Sequence, residues 1–151
     1  MQISEVKYSD HMIEIVSMTM RHWDEVGMAK MDLELNLWHE YYLYLEMQGK
    51  LIAVAAKNED GKVIGYITGS ISRHPHHKEN FACIDSLYMD KSVRGLKSYR
   101  VVCKMIKLAE SIARKKDVAF IQIAASINRP LSRLMEDTGY HPTDIMYCKR
   151  I

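Results

Sequence analysis

The residues of this sequence with the clearest chemical potential lie between Ile84 and Ser111, IDSLYMDKSVRGLKSYRVVCKMIKLAES. The stretch predicts a buried strand, a short basic loop and a long amphipathic helix. That order places backbone N–H groups and a helix N-terminus at the end of a strand, where they can bind a phosphorylated ligand. Arg94, Lys97 and Arg100, around Gly95, add side-chain charge. The pattern indicates an anion site, and the alternative is a basic strand-to-helix turn that binds nothing.

Shortly before this segment, RHPHHKEN contains three histidines, and three cysteines are spread along the chain. The histidine run has no carboxylate partner at a fixed spacing, so it predicts a solvated loop rather than a metal site. The cysteines lack CxxC spacing and are odd in number, so they predict buried thiols in a reducing compartment. We therefore expect no bound metal and no disulfide framework. These residues are His74, His76, His77, Cys83, Cys103 and Cys148.

Composition bounds the kind of protein that this sequence can form. Its 151 residues, with only 7 glycines and 3 prolines, predict a single domain over residues 1–151. A net charge of +2 and a pI near 8.4 are too mild to indicate nucleic-acid binding. The N-terminus, MQISEVKYSD, lacks the apolar core of a signal peptide, and the longest aliphatic run, residues 51–56, is too short to span a bilayer. We therefore expect a cytoplasmic protein with no membrane partner.

Hydrophobic periodicity predicts the elements that must position these residues, in the order βααβββαβαβ. Residues 58–61, NEDG, are a hairpin signal because Asp-Gly tolerates the positive φ angles of a tight turn. Residues 118–125 lack alternation, which predicts a strand covered on both faces. Gly49 and Gly139 are expected to end helices. Predicted strands cover residues 3–7, 51–57, 62–72, 82–89, 118–125 and 140–150, and predicted helices begin near residues 9, 37 and 130 and after the basic loop.

Two local patterns, together with this order, resemble the GNAT family of acyl-CoA-dependent N-acyltransferases over essentially the whole chain. Residues 128–140, NRPLSRLMEDTGY, are similar to the asparagine-led helix of the family that ends in Gly-Phe or Gly-Tyr. Residues 84–99, IDSLYMDKSVRGLKSY, resemble the family's acyl-CoA loop and the strand before it, through Arg94 and Gly95. The loop looks most like those of divergent, phage-type members.

The resemblance implies an α/β (α+β) GNAT fold, with a mixed central sheet of six to seven strands flanked by four helices and splayed between the strand at 82–89 and the strand at 118–125. It also implies acetyl-CoA as co-substrate, with the pantetheine arm paired to the first of these strands. A backbone N–H near Met89 would polarise the thioester carbonyl. Asn128 would hydrogen-bond the CoA arm, or cap its helix. The implied cofactor-binding residues are Leu87, Tyr88, Met89, Arg94, Gly95, Leu96, Lys97, Ser98, Tyr99 and Asn128.

The same resemblance implies a general base and leaves the general acid open. Asp85 stands where family members often have an acidic residue, so it is the expected base; the alternative is a solvent-facing carboxylate with a water-mediated base. Met135 occupies the place of the family's tyrosine acid. Tyr140 is a candidate replacement, as is Tyr147, unless these rings belong to the core. The residues that family geometry places near the acceptor, with a polar surface as the alternative, are the histidine loop, Glu40 and Glu46.

Two departures from the family pattern separate two functional hypotheses. Lys97 and Tyr99 stand where the loop usually has small residues, because the pyrophosphate approaches the backbone closely. In the first hypothesis, the chain is an N-acetyltransferase that moves an acetyl group from acetyl-CoA to a primary amine of a small molecule or a protein. In the second, it is a catalytically inactive GNAT-fold binding or structural module, for example a phage-associated protein. The resemblance allows a monomer or a homodimer, in the cytoplasm of a bacterium or of a phage-infected host cell.

Overall fold

The computed structural model describes residues 1–26, 34–76, 78–125 and 131–143. Its elements follow the predicted order as far as the last helix, and most of the predicted closing strand lies outside the described residues. None of the helices in these ranges is long and apolar enough to cross a membrane. The elements are β1 (Gln2–Glu5), α1 (Tyr8–Val26), α2 (His39–Met47), β2 (Leu51–Lys57), β3 (Val63–Arg73), β4 (Asn80–Met89), a 3₁₀ turn (Lys91–Val93), α3 (Leu96–Lys115), β5 (Val118–Ile123) and α4 (Ser132–Asp137).

The five described strands form one mixed sheet in chain order, β1 to β5. Every neighbouring pair is antiparallel except β4 and β5, which are parallel. A parallel pair needs a crossover connection, and α3 supplies it. The α+β fold with a mixed sheet and four helices is therefore confirmed. The prediction of six to seven strands included one or two strands within residues 140–150. Residues 144–150 lie outside the described part of the chain.

The sheet buries apolar side chains on both faces. β2 is buried from Leu51 to Ala56, as its unbroken aliphatic sequence requires for a strand covered on two sides. One face packs against α1 and α2, and the other against α3 and α4. β5 differs: Ala119 and Gln122 are exposed, so the expectation of a strand covered on both faces is wrong, because β5 is the edge of the described sheet. The predicted apolar face of α3 is buried as expected, at Val102, Met105, Ile106, Ala109 and Ile112.

β4 and β5 diverge half-way along β4. Their pairing runs from Asn80 with Val118 to Ile84 with Ile123, where β5 ends. β4 continues to Met89. The edge of β4 beyond Ile84 therefore faces no strand in the described part of the chain. This is the predicted splay, and it leaves backbone groups on that edge open to a ligand.

Candidate active site

Asp85 lies at a β-bulge in β4, directly after the last residue that pairs with β5. On β3, Thr68 pairs with Ser86 and Gly69 pairs with Ile84, so Asp85 is the extra residue of β4. A bulge bends the strand and changes the direction in which its side chain points. Gly69 permits the close approach, because a Cβ there would lie 2.7 Å from a backbone oxygen of β4. Asp85 is exposed at the point where the two strands separate.

Two hydroxyl groups hold the Asp85 carboxylate. The Thr68 hydroxyl donates to Oδ1 at 2.6 Å, and the Tyr42 hydroxyl of α2 donates to Oδ2 at 2.8 Å. Each carboxylate oxygen thus has one donor from the protein and keeps further lone pairs for a ligand or water. Donors to both oxygens fix the rotation of the carboxylate. The sequence prediction included Asp85 but neither of its partners.

Burial and the charge of Asp85 act together on the surrounding tyrosines. Burial is the main cause, and Asp85 adds to it, so that the pKa of Tyr8 and that of Tyr66 are both raised to about 12. The same two causes raise the pKa of Tyr42 above its usual range. A phenol with a raised pKa keeps its proton at neutral pH. The three hydroxyls therefore stay neutral; that of Tyr42 donates to Asp85, whereas that of Tyr8 pairs with His39 and that of Tyr66 with Thr19.

The open edge of β4 carries the residues predicted to lie beside a pantetheine arm. Leu87 pairs across β3 with Ile67, Tyr88 with Tyr66, and Met89 with Gly65. Tyr88 and Met89 are buried and Leu87 is half-buried. Their side chains therefore belong to the two cores, and what the strand presents at its free edge is backbone. That is the arrangement a linear amide-containing ligand needs if it is to add to the sheet as a further strand.

Arg94 of the basic loop is anchored to the end of α1 by Glu25. Its guanidinium contacts a Glu25 oxygen at 2.9 Å and lies 5.3 Å from the centre of the Tyr88 ring, while its Nε donates to the Met89 carbonyl at 2.9 Å. The Tyr88 hydroxyl also donates to Glu25, at 3.1 Å, and only 9% of the Glu25 side chain is exposed. The Arg94 side chain is thus engaged within the protein, and its predicted role in CoA binding stays a prediction. Sequence reasoning missed Glu25.

The loop ends at Gly95, which caps α3 with a φ of 150°. The Gly95 N–H donates to the Ser98 hydroxyl at 2.8 Å, and that hydroxyl donates back to the Gly95 carbonyl at 2.7 Å. Ser98 is buried, and its hydroxyl shapes the turn, whereas its predicted role in cofactor binding stays a prediction. The amides of the first turn of α3 have no carbonyl four residues earlier in the helix. These amides are the groups that the sequence predicts as an anion site.

The two unusual loop residues lie in different surroundings. Lys97 is exposed at the start of α3. The Tyr99 hydroxyl donates to Asp137 at the end of α4, and this contact raises the pKa of Tyr99 to about 12. The Tyr99 ring is therefore drawn toward α4 and links the two helices. Of Leu96 only the backbone is described.

Tyr140 is not in contact with the group around Asp85. Burial, followed by the charge of Glu110 and a hydrogen bond to it, raises the pKa of the Tyr140 hydroxyl. Glu110 is about 20 Å along α3 from its first residue, at about 1.5 Å per residue. The Tyr140 N–H donates to the Met135 carbonyl at 2.9 Å, and Met135 is buried in the α3 face of the core. Tyr140 thus has the surroundings of a core aromatic residue.

The remaining predicted residues are placed as follows. Glu46 accepts hydrogen bonds from the backbone N–H groups of Tyr8 and Ser9, so it caps α1. The His74 ring packs on Phe81 near the start of β4 and on Phe120 near the start of β5. Among the described residues, no group of three or more His, Cys, Asp or Glu side chains could hold a metal ion. The predictions that lie outside the described residues concern His77, Asn128, Tyr147 and Cys148.

Comparisons with known proteins agree with this architecture. Residues 12–140 match the family described as "Acetyltransferase (GNAT) family". A search of curated proteins finds no significant match. The expectation of a phage-type member finds no support in these matches.

Solved structures of acetyltransferases share the fold at low identity. A candidate acetyl transferase from Pyrococcus furiosus is 19% identical with a TM-score of 0.70, over 99% of this chain and 100% of that one. The glucosamine-6-phosphate N-acetyltransferase of Arabidopsis thaliana is 12% identical with a TM-score of 0.69, over 99% and 97%. An aminoglycoside acetyltransferase from an uncultured soil metagenomic sample, in complex with sisomicin, is 14% identical with a TM-score of 0.74, over 99% and 95%.

Proposed function

The chain belongs to the acetyltransferase (GNAT) family, and from that premise we propose that it transfers an acetyl group from acetyl-CoA to a primary amine. One observation carries the proposal. An exposed carboxylate, Asp85, stands at a bulge where the sheet splays, beside an open strand edge that leads into a helix N-terminus. A base, a groove for an extended ligand and an anion site are the three features that this reaction needs from the protein.

For acetyl-CoA, the chain offers backbone groups more than side chains. The free edge of β4 from Asp85 to Met89 suits the amide-bearing pantetheine arm. The first-turn amides of α3, with the exposed Lys97, suit the diphosphate. Tyr99 and Lys97 would block a diphosphate only if their side chains covered the loop backbone. The Tyr99 side chain instead points toward α4, where its hydroxyl donates to Asp137.

In the proposed reaction, the amine reaches the site as an ammonium ion and pairs with Asp85. Asp85 accepts its proton, directly or through one water molecule, and the neutral nitrogen attacks the thioester carbonyl. A C–N bond forms and the nitrogen loses its second proton to water; the C–S bond breaks, and CoA leaves as a thiolate that takes up a proton from solvent. Because the thioester is already activated, positioning the two reactants and removing one proton supply most of the rate enhancement. Thr68 and Tyr42 keep the carboxylate oriented while its charge changes.

The experiment that tests acetyl-CoA binding is thermal unfolding of the protein with and without acetyl-CoA and free CoA. A ligand at about one hundred times its dissociation constant stabilises by roughly 2.7 kcal/mol, which raises the Tm of a chain of this size by about 5–10 °C. We expect a shift with both ligands and none with acetate. Absence of a shift at millimolar acetyl-CoA would contradict the proposal and favour the inactive binding module.

The acceptor and setting are proposed from this chain alone. Two of the similar structures bear the names of amino-sugar acetyltransferases, but at 12% and 14% identity that likeness concerns the fold. We propose that the acceptor is the primary amine of a small molecule or of a protein, and that the reaction takes place in the cytoplasm without nucleic acid or membrane as a partner.

A further inference from the structure

Four aromatic rings run in contact from the protein surface to Asp85. We call them the aromatic row: Trp38, Tyr41, Tyr42 and Tyr8. The Trp38 and Tyr41 rings stack with centroids 5.0 Å apart, and Tyr41 meets Tyr42 edge-on at 6.5 Å. Tyr42 stacks on Tyr8 at 5.1 Å. The row reaches the candidate base because the Tyr42 hydroxyl donates to Asp85.

The outer half of the row is exposed although it is apolar. Trp38 is 65% and Tyr41 is 39% exposed, whereas Tyr8 is buried. A single exposed aromatic residue is ordinary and needs no explanation. Here the two exposed rings are stacked on each other, and the Tyr41 ring contacts that of Tyr42, whose hydroxyl donates to the carboxylate. The row therefore offers apolar, flat surface at the mouth of a site whose inner end is negatively charged.

Two carboxylates near the row are engaged within the protein, whereas Glu40, between Trp38 and Tyr41 in sequence, is exposed. Glu46 of α2 caps the start of α1, and Glu25 of α1 pairs with Arg94. A polyamine or an amino sugar with several ammonium groups would require several accessible carboxylates. At its inner end the row presents one carboxylate, Asp85, which accepts from the Tyr42 hydroxyl, and the surface that leads out from it is aromatic. This is the complement of a molecule with one ammonium group and one flat apolar group.

We propose that the acceptor is a primary amine joined by a short aliphatic linker to an aromatic group. The inference rests on the proposed function and names the acceptor class for that site. The ammonium pairs with Asp85 and lies against electron-rich ring faces, which attract cations. The aromatic group stacks on Trp38, at the N-cap of α2, and on Tyr41, the residue before Tyr42. Trp38 and Tyr41 are thus specificity-determining residues.

The test compares two amines of equal carbon skeleton, 2-phenylethylamine and 2-cyclohexylethylamine, with butylamine and glucosamine as further acceptors. Acetyl transfer is followed by release of the CoA thiol. We expect kcat/KM for 2-phenylethylamine to exceed that for the cyclohexyl compound by about 5- to 10-fold, because only the aromatic ring gains stacking energy. Equal values, or a preference for glucosamine, would overturn the inference while the proposed function stands.

Variants locate the effect on the row. Trp38→Ala and Tyr41→Ala should each raise the KM for 2-phenylethylamine about 5- to 10-fold, and should raise the KM for butylamine by less, because they remove binding of the aromatic ring. Tyr44→Ala is the matched control, since Tyr44 is on the same helix and 54% exposed but lies outside the row. An effect of Tyr44→Ala equal to that of Trp38→Ala would overturn the inference.

The two proposals fail in different ways. If no amine is acetylated, the proposed function fails, and calorimetric titration of 2-phenylethylamine into the full chain still tests the acceptor class. Saturable binding that Trp38→Ala weakens supports the aromatic row as a binding surface. Absence of binding, or binding that Trp38→Ala leaves unchanged, overturns it.

Discussion

Replacing Gly69 by alanine should displace the segment of β4 that carries Asp85. A Cβ at Gly69 would lie 2.7 Å from the Cys83 carbonyl oxygen and 3.0 Å from Ile84 Cα, whereas unstrained contacts of carbon lie at about 3.5–4.0 Å. β4 must therefore retreat by about 1 Å beside the bulge. Overpacking of this kind costs about 1–3 kcal/mol, or about 2–12 °C in Tm. A displacement of about 1 Å at a reacting group lowers the rate by about 100-fold.

The assay is Tm by circular dichroism together with kcat/KM for acetyl transfer. The matched control is Gly61→Ala in the turn between β2 and β3, where φ is +78° and a Cβ meets no atom within 4 Å. That change strains the backbone by roughly 1–2 kcal/mol, so it lowers Tm without touching the bulge. Wild-type kcat/KM in Gly69→Ala, or an equal loss of kcat/KM in Gly61→Ala, would refute the reasoning that the bulge positions Asp85.

Three further predictions concern the loop, the cofactor site and the tyrosines. Glu25→Gln should lower the free energy of unfolding, measured by chemical denaturation, by about 1–3 kcal/mol and weaken acetyl-CoA binding, because Arg94 loses its charged partner. Arg114→Gln, at a surface ion pair, should lower the same free energy by less than about 1 kcal/mol. Lys97→Ala should weaken acetyl-CoA binding, measured by calorimetry, about 5-fold at low salt and less at high salt, because one exposed charge near a diphosphate is worth about 1 kcal/mol. The exposed control Lys104→Ala should leave the affinity unchanged. Tyr8 and Tyr66, with folded pKa values of about 12, should ionise late in a titration at 295 nm. Since the unfolded chain releases these protons near pH 10, the contribution of the two tyrosines to stability should be constant below about pH 10 and should make stability fall as pH rises toward 12.

Where a pattern is local, the sequence predicts the structure well. The α3 positions expected to be apolar are buried, because 3.6-residue periodicity defines the face of a helix whatever it packs against. The strand, loop and helix after Ile84 were likewise predictable from composition and glycine placement. Asp85 was identified through a family resemblance, and the register places it where β4 and β5 separate.

What could not be predicted depends on long-range packing. Thr68 contacts Asp85 because a bulge shifts the register by one residue. No residue pattern in β3 or β4 predicts that shift. Glu25 and Arg94 are 69 positions apart in sequence, and a glutamate near the end of a helix usually indicates a solvated surface. The direction of the Tyr99 side chain toward α4 also follows from tertiary contacts that sequence spacing does not encode.

The most direct test of the central claim compares Asp85→Asn with the wild-type chain, measuring acetyl-CoA binding and CoA release with a primary amine on the same samples. The account predicts that the variant binds acetyl-CoA as the wild type does, while kcat/KM falls by about 10²–10⁴-fold, the contribution of a positioned general base. An unchanged kcat/KM in Asp85→Asn would contradict the assignment of Asp85, and absence of acetyl transfer by the wild-type chain to every amine would contradict the proposed function itself.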